Sequence, residues 1–331
     1  MIHFLLRRIA IMVPLLFLIS IIVFVVIQLP PGSYLDTYIA TLEASGVQLD
    51  QAQIASLVRQ YGLDQPLYKQ YWRWITNIIL RGDLGWSFQW NRTVNEVLAS
   101  RLPTSIALSV VSIIFVWVCA IPIAIVSATR QYSFWDYLFT FLGFIGLAMP
   151  NFLLALVLMW LMYEYTGHTI TGLFSREFVD APWSWARVVD LLRNVWLPVV
   201  IIGTAGTAGL IRVLRATLLD ELRKQYVTTA RAKGLQEWRL LAKYPIRIAL
   251  NPVISTIGWL LPAVISGEVI VAIVLNLPTV GPVLMRATLA QDMYLAGSIV
   301  LILSVLTVIG TFISDLLLAW LDPRIRYDDQ A

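Results

Sequence analysis

The chain has 331 residues, of which 59% are hydrophobic and 13% charged, and its formal net charge is +4. Soluble domains carry about 25% charged residues, so this composition excludes a water-soluble globule, a disordered chain and a coiled coil. The apolar residues form long continuous runs instead of alternating with polar ones, which indicates membrane-spanning helices and excludes a β-barrel. The sequence therefore predicts an all-α membrane protein.

Six apolar windows are long enough to cross a bilayer as helices. They cover residues 9–29, 103–128, 137–162, 195–216, 251–275 and 296–320. The first window follows Arg7 and Arg8 and ends without a small-residue cleavage pattern, so it is predicted to be an uncleaved signal anchor. Pro150 and Pro198 lie in or beside spans, where a kink is tolerated if neighbouring groups satisfy the freed carbonyls.

The distribution of Lys and Arg predicts the orientation of these spans. With the N-terminus in the cytoplasm, the external segments hold ten basic and eleven acidic residues. The other fourteen basic residues lie in cytoplasmic segments or at the cytoplasmic ends of spans, with only seven acidic residues among them. This bias follows the positive-inside rule and predicts that both termini are cytoplasmic.

The predicted spans divide the chain into three regions. Residues 1–29 form the N-terminal tail and first transmembrane helix, and residues 30–101 form an extracytoplasmic insertion between the first two helices. Residues 102–331 form a five-helix core with a cytoplasmic loop at 217–250. The insertion is polar and partly amphipathic, and its interfacial aromatics include Trp72, Trp74, Trp86 and Trp90.

The sequence contains no motif that binds a nucleotide or a metal. It has no phosphate-binding loop of the form Gly-x-x-x-x-Gly-Lys-Ser/Thr, and its two histidines, His3 and His168, are far apart. Gly203, Gly206 and Gly209 in the fourth span are best explained by close helix packing. No catalytic residue, metal or cofactor of the chain itself is expected.

Charged residues inside the predicted spans are candidates for function because they are costly to place in a membrane. Glu268 could line a translocation path or pair with a partner subunit, or it could be a packing or protonated carboxyl. Asp315 is a second candidate for the path, although an interfacial or helix-packing carboxylate explains it as well. Arg212 and Arg215 are expected to extend their side chains to lipid headgroups.

The cytoplasmic loop 217–250 is much longer than a connection between spans requires. It carries seven basic residues and is predicted to form two short helices, the first through 226–233 and the second from near Leu235. Gly234 supplies a left-handed cap between them. The second helix carries Trp238, Leu240 and Leu241 at helical spacing. A sharp glycine turn with small residues suits docking into a groove of a partner protein, whereas a headgroup-binding loop would explain only the charge.

The segment Thr229-Ala230-Arg231-Ala232-Lys233-Gly234-Leu235 resembles the "EAA" motif of membrane permease subunits of bacterial ABC importers, in the dipeptide/oligopeptide/nickel family. Further pieces resemble that family in the same order along the chain. These are Tyr61-Gly62-Leu63-Asp64-Gln65-Pro66-Leu67, Gln70-Tyr71, Gly82-Asp83-Leu84-Gly85-x-Ser87, Arg101-Leu102-Pro103-Thr104-Ser105 and Asp322-Pro323-Arg324-Ile325-Arg326-Tyr327.

The resemblance implies a type I importer permease of the bacterial inner membrane. Its implied partners are a second homologous permease, two cytoplasmic ATPase subunits that hold ATP-Mg, and an extracytoplasmic solute-binding protein that faces the 30–101 insertion. Membrane lipid surrounds the chain, and no nucleic acid is expected. The implied residues that couple to an ATPase are Tyr226, Thr229, Ala230, Arg231, Ala232, Lys233, Gly234 and Leu235.

Two departures from the family pattern leave the solute open. The family's glutamate six residues before the proline of its Leu-Pro-Gly-x-Gly turn is Ala272 here, and Glu268 stands four residues earlier. Pro31-Gly32-Ser33-Tyr34 replaces the commoner Pro-Gly-Asp-Pro. The solute is therefore predicted to be an oligopeptide or, alternatively, an oligosaccharide, opine or related compound. A stand-alone secondary transporter and a membrane-embedded enzyme are the competing functions of other classes.

Overall fold

The computed structural model describes residues 2–29, 65–87, 89–179, 181–182, 184–258 and 269–321, and the secondary structure of these residues is almost entirely helical. The helices are α1 (Ile2–Gln28), α2 (Leu67–Arg81), α3 (Val94–Thr129), α4 (Phe134–Ala148), α5 (Asn151–Thr166), α6 (Trp185–Leu222), α7 (Gln225–Ala232), α8 (Glu237–Lys243), α9 (Pro245–Ala249), α10 (Asn251–Ser255), α11 (Val269–Val274), α12 (Val280–Leu289) and α13 (Met293–Leu321). Strands β1 (Trp86–Ser87) and β2 (Arg92–Thr93) form a short antiparallel pair.

Four of the described helices are long and apolar enough to cross a membrane, namely α1, α3, α6 and α13. Helices α4 and α5 pass the same test only as a pair, and they are bent by 104° where one meets the other. The described part of the chain thus contains four or five candidate spans, which confirms a helical membrane protein. The count of six spans and the topology stay predictions.

The predicted third span, 137–162, is not one continuous helix. Helix α4 ends at Ala148, Met149 is extended with φ −83° and ψ 122°, and Pro150 precedes α5. A proline disfavours the helical conformation of the residue before it and removes a backbone donor, so the helix ends there and the chain turns. The expected mild kink at Pro150 is in fact a sharp break.

The predicted fifth span, 251–275, contains only short helices where it is described. Helix α10 ends at Ser255, α11 begins at Val269, and residues 259–268 lie outside the described residues. The other spans lie where the sequence places them. However, α3 begins earlier and α6 extends further in both directions than the apolar windows 103–128 and 195–216.

The chain divides into two compact units. The unit formed by residues 1–6, 105–278 and 307–331 has α6 at its centre, packed against α4, α5, α9 and α10. A Cβ on Gly203 would lie 2.5 Å from the Phe115 ring, and one on Gly206 would lie 3.3 Å from Val116. These two glycines therefore allow α6 to approach α3 closely, as predicted. Among the described residues, no such contact occurs at Gly209.

The second unit consists of residues 7–104 and 279–306 and contains α1, α2, the strand pair, α12 and the beginnings of α3 and α13. Its apolar cluster joins α1, α2 and α13 around the buried side chains of Val23, Trp74 and Leu301. Helix α2 ends in a left-handed Gly82 with φ +64°, whose N–H donates to the carbonyl of Ile78. This cap turns the chain toward β1.

Candidate coupling surface

The predicted helix pair in the loop 217–250 is confirmed. Helix α7 ends at Ala232, and Gly234 adopts φ +75°. The N–H of Gly234 donates to the carbonyl of Arg231 at 2.9 Å, and that of Leu235 donates to the carbonyl of Ala230 at 3.2 Å. These two bonds form a Schellman motif, which favours glycine at the left-handed position. The chain then enters α8 at Glu237.

The two helices share a small apolar core of their own. The side chains of Val227 and Leu240 are fully buried and Ala230 is nearly so. Four partly buried side chains pack around them, those of Tyr226, Leu235, Leu241 and Tyr244. Burial of an aliphatic side chain contributes about 1.5–3 kcal/mol, so this core holds α7 and α8 together as a unit.

The structure separates the predicted coupling residues by the direction in which they face. Three of them face the small core or pack against it: Tyr226, Ala230 and Leu235. Five are exposed: Thr229, Arg231, Ala232, Lys233 and Gly234. Only the exposed group is available to a partner protein, and the inward group shapes the helix pair that carries it.

Two polar contacts tie the loop together. The Tyr226 hydroxyl donates to Glu221 at the end of α6, and burial together with this bond raises the pKa of Tyr226 above its usual range. Arg231 binds Glu237 across the turn through two hydrogen bonds of 2.5 and 3.1 Å. Each partner of this pair favours the charged form of the other, so the pKa of Glu237 is lowered and that of Arg231 is raised. Both side chains are about half exposed, so the pair contributes only about 0.2–1 kcal/mol.

Sequence reasoning did not assign Trp238 and Arg239 to the exposed surface. Trp238 is 64% exposed at the start of α8, and its indole N–H donates to the side-chain oxygen of Gln236. The Arg239 guanidinium lies 5.1 Å from the centre of the Trp238 ring. A tryptophan in a basic loop is the signal that could have identified this feature, since exposed Trp and Arg often anchor protein interfaces. We call the exposed set Thr229, Arg231, Ala232, Lys233, Gly234, Trp238 and Arg239 the coupling surface.

The loop is joined to the long helices through α9 and α10. Leu214 and Leu218 on α6 are fully buried against Ala249 and Val253. Ala120, Ala124 and Ala128 on α3 form the opposite wall of the same cluster. Because small alanines allow close packing, this cluster connects α9 and α10 to α6 and α3.

Arg215 does not extend to lipid headgroups, contrary to the prediction. Its guanidinium binds the buried carboxylate of Asp136 through two hydrogen bonds of 2.8 Å, and it also donates to Ser127 at 3.0 Å. The Tyr132 N–H donates to the same carboxylate. This network joins the end of α3, the start of α4 and α6, and a two-point Arg–carboxylate contact is among the stronger hydrogen-bonded pairs in proteins. Arg212 is exposed.

Of the two candidates for the translocation path, only Asp315 lies among the described residues. Glu268 lies outside the described residues. Asp315 is half-buried on α13, next to Ser314, whose hydroxyl donates to the carbonyl of Ile254. Ala272, which stands where the family has glutamate, is buried in an apolar cluster with Leu197 and Leu275. In the described part of the chain, no three His, Cys, Asp or Glu side chains could hold a metal ion.

Contacts within the second unit fix the conformation of the segment Gly82-Asp83-Leu84-Gly85-x-Ser87. Asp83 accepts a hydrogen bond from the Gly85 N–H, and Ser87 donates to the fully buried Asp292 at 2.5 Å. A Cβ on Gly85, which has φ +99°, would lie 2.9 Å from the Tyr294 ring. The segment therefore forms a fixed wall of a cavity of about 280 Å³. The residues that line the cavity are Arg73, Trp74, Asn77, Asp83, Gly85, Trp86, Thr93 and Tyr294.

The comparison with known proteins agrees with a membrane-spanning architecture. The family described as binding-protein-dependent transport system inner membrane component matches residues 120–327. The N-terminal family of the same transport systems matches residues 1–109. The chain belongs to this transport family. It is therefore a permease subunit of an inner-membrane transport system, and the family is a class of transport components and not of enzymes.

This permease is similar over almost its whole length to several characterised relatives. It is 35% identical over 328 residues to the oligopeptide transport system permease protein AppB of Bacillus subtilis, which covers 98% of this chain and 99% of the relative. It is 30% identical to the oligopeptide transport system permease protein OppB of Haemophilus influenzae, with coverage of 99% and 100%. It is 32% identical to the glutathione transport system permease protein GsiC of Salmonella paratyphi A, with the same coverage.

Proposed function

We propose that this permease forms half of the translocation path of an ATP-driven peptide importer. The names of the relatives, which transport oligopeptides or glutathione, favour a peptide over an oligosaccharide or opine. A solute-binding protein delivers the solute, in keeping with the family's description. The chain has six transmembrane helices with both termini in the cytoplasm, and a second homologous permease forms the other half of the path.

The coupling surface is the observation that carries this proposal. A loop that only binds headgroups needs basic side chains but no core, whereas α7 and α8 enclose Val227 and Leu240 completely. The helix pair is therefore a rigid projection that presents an exposed Trp and Arg beside a glycine turn. A rigid projection can transmit force, and its connection through α9 to the core of α6 gives the force a route. We propose that it docks in a groove of an ATPase subunit.

ATP hydrolysis takes place on the partners in this scheme. The sequence has no phosphate-binding loop, so ATP and its Mg²⁺ are held by two cytoplasmic ATPase subunits. Closure of these subunits displaces α7 and α8, and the displacement reaches α6 and α3 through the apolar cluster of Leu214, Leu218 and the three alanines. The spans then open to one side of the membrane and close to the other.

The remaining regions have roles that follow from the same scheme. The insertion 30–101 faces the solute-binding protein, and the core 102–331 forms the path together with the second permease. Glu268 and Asp315 are the candidates to line that path. Inward coupling residues such as Tyr226 and Ala230 fix the shape of the projection, and the exposed ones make the contact with the ATPase.

Trp238→Ala tests the docking role directly. Removal of an aromatic anchor at an interface costs about 2 kcal/mol or more, which weakens ATPase binding roughly 30-fold. Trp185→Ala is the matched control, because Trp185 is also exposed but begins α6 at the end opposite the loop. Each variant is expressed with its partners and purified in mild detergent. The amount of ATPase retained is measured, and uptake of a labelled oligopeptide is followed in proteoliposomes.

The expected result is loss of ATPase and of uptake with Trp238→Ala and retention of both with Trp185→Ala. Full retention of the ATPase by Trp238→Ala would remove Trp238 from the interface. Competition of the uptake with unlabelled peptide and with oligosaccharide tests the solute separately. Inhibition by oligosaccharide alone would overturn the peptide assignment and leave the coupling assignment intact.

A further inference from the structure

Helix α2 has three distinct faces. One face packs on α1 and α13 through Tyr71, Trp74 and Ile78. A second, polar face carries Lys69, Arg73 and Asn77. The third face, which we call the outer ridge, consists of Tyr68, Trp72 and Ile79, exposed by 64%, 56% and 71%. An aqueous helix would not be expected to place three large apolar side chains in one exposed row, so the ridge requires an apolar partner.

The contacts of α2 with α1 place this ridge at the depth of the membrane. Phe17 lies midway along the apolar span Leu6–Gln28, and its ring centre lies 6.4 Å from those of Tyr71 and Trp72. Ser20, which is buried in the same span, shares a 2.8 Å hydrogen bond with the Tyr71 hydroxyl. If α1 spans the bilayer, the ring of Trp72 touches a side chain at the bilayer centre and cannot lie in water.

The ridge is continuous with the apolar surface of α1. Phe17 is itself 45% exposed, and Leu18 and Val25 on α1 are exposed by more than half. These side chains and Trp72 therefore form one surface, and a span that is apolar and exposed over its length faces acyl chains. Lipid acyl chains that cover the exposed side of α1 would therefore also cover the outer ridge of α2.

The polar face of α2 is turned toward a cavity in the protein. Arg73 and Asn77 line the same cavity as Asp83. Helix α2 also carries Trp and Tyr, which are enriched where membrane proteins meet the headgroup region. Its 15 residues extend only about 22 Å, which is too short to cross the hydrocarbon core.

We infer that α2 is immersed in one leaflet of the bilayer beside α1, with Tyr68, Trp72 and Ile79 in contact with lipid acyl chains. The immersion rests on α1 being a span, and with the orientation in the proposed function the leaflet is the outer one. The insertion between the first two spans is then partly a membrane element instead of a wholly external subdomain.

Spin-label accessibility tests this placement. Cys119→Ser gives a background without cysteine, because the chain has a single one. Single cysteines are introduced by Trp72→Cys and Ile79→Cys on the outer ridge and by Lys69→Cys and Arg73→Cys on the polar face. The complex with its partners is labelled with a nitroxide and reconstituted into phosphatidylethanolamine–phosphatidylglycerol vesicles. Collisions with oxygen, which concentrates in acyl chains, are compared with collisions with a water-soluble nickel chelate.

The ridge positions are expected to show a several-fold higher ratio of oxygen to nickel accessibility than the polar positions. Equal nickel accessibility on both faces would place α2 in the medium and overturn the inference. Protection of the ridge from both reagents would show that a protein covers it, which also overturns it. The oxygen and nickel accessibilities do not depend on transport or on ATPase binding. A negative result would therefore overturn the placement of α2 without bearing on the proposed function.

A second measurement uses the unaltered chain. Vesicles are prepared with a phospholipid that carries a photoactivatable carbene precursor in the middle of its acyl chain. After illumination, tryptic peptides containing Trp72 and Ile79 are expected to carry the lipid, as is the α1 peptide containing Phe17. Labelling of α1 without either α2 peptide would refute the immersion of α2 even if the cysteine variants failed to assemble.

Discussion

Gly234→Trp distinguishes the fold of the loop 217–250 from its proposed contact with a partner. Gly234 has φ +75°, and no atom of the described chain lies within 4 Å of a Cβ built there. A tryptophan therefore fits sterically, and its only local cost is the left-handed backbone, about 1–2 kcal/mol. The fully buried Val227 and Leu240 contribute about 1.5–3 kcal/mol each to the union of α7 and α8. The helix pair is expected to persist.

A partner protein would meet the new side chain, because Gly234 lies at the tip of the turn between α7 and α8. We expect Gly234→Trp to abolish peptide uptake and to uncouple ATP hydrolysis from the solute-binding protein, while expression and membrane insertion stay normal. Gly234→Asn is the control, since asparagine adopts the left-handed conformation with little strain and adds a smaller side chain. Its uptake should lie between those of the wild type and Gly234→Trp.

The assay combines uptake by proteoliposomes with limited trypsin digestion of the basic loop. An unchanged digestion rate shows that the helix pair is intact, and loss of uptake then reports the missing contact. Wild-type uptake by an intact Gly234→Trp complex would refute the coupling role of this turn. A faster digestion rate with lost uptake would show instead that the strain had unfolded the loop, contrary to the energies above.

Three further changes test other parts of the structure. Asp136→Asn should lower the free energy of unfolding of the detergent-solubilised chain by about 3 kcal/mol, because the Arg215 guanidinium loses its anionic partner. An unchanged melting temperature would argue against the ion pair. Because the pKa of Tyr226 is raised, its contribution to loop stability is complete below about pH 10 and is lost as the pH rises further. The rate at which trypsin digests the loop should therefore rise with alkaline pH in the wild type and rise less in Tyr226→Phe. Gly85→Ala should lower the melting temperature more than Gly82→Ala does. Both glycines have positive φ, but only at Gly85 would the added Cβ lie within 3 Å of an aromatic ring. Equal melting temperatures of the two variants would contradict this.

The elements predicted most accurately are those determined by neighbouring residues in the chain. Four spans could be located because hydropathy is summed over consecutive residues. The turn at Gly234 could be predicted because a left-handed cap depends on one glycine and the helix before it. The break at Met149 was underestimated, since sequence shows that Pro150 perturbs a helix but does not show whether neighbouring helices straighten it.

Pairings between distant residues could not be predicted. Arg215 and Asp136 are separated by 79 positions, and Ser87 and Asp292 by 205. An arginine at the end of a span has the same sequence signature whether it extends to headgroups or binds a carboxylate. The choice depends on whether the packing of α3, α4 and α6 brings an acid within hydrogen-bonding distance.

The sequence by itself determined that this protein is a helical membrane protein, where its long spans lie, and that a glycine turn joins two short helices in the loop 217–250. These properties follow from composition, hydropathy and local backbone preference. Only the tertiary structure decided which coupling residues face outward, that Trp238 is exposed beside them, and that Trp72 lies level with the centre of α1. Direction and depth depend on what each side chain packs against, and those contacts come from segments far apart in the chain.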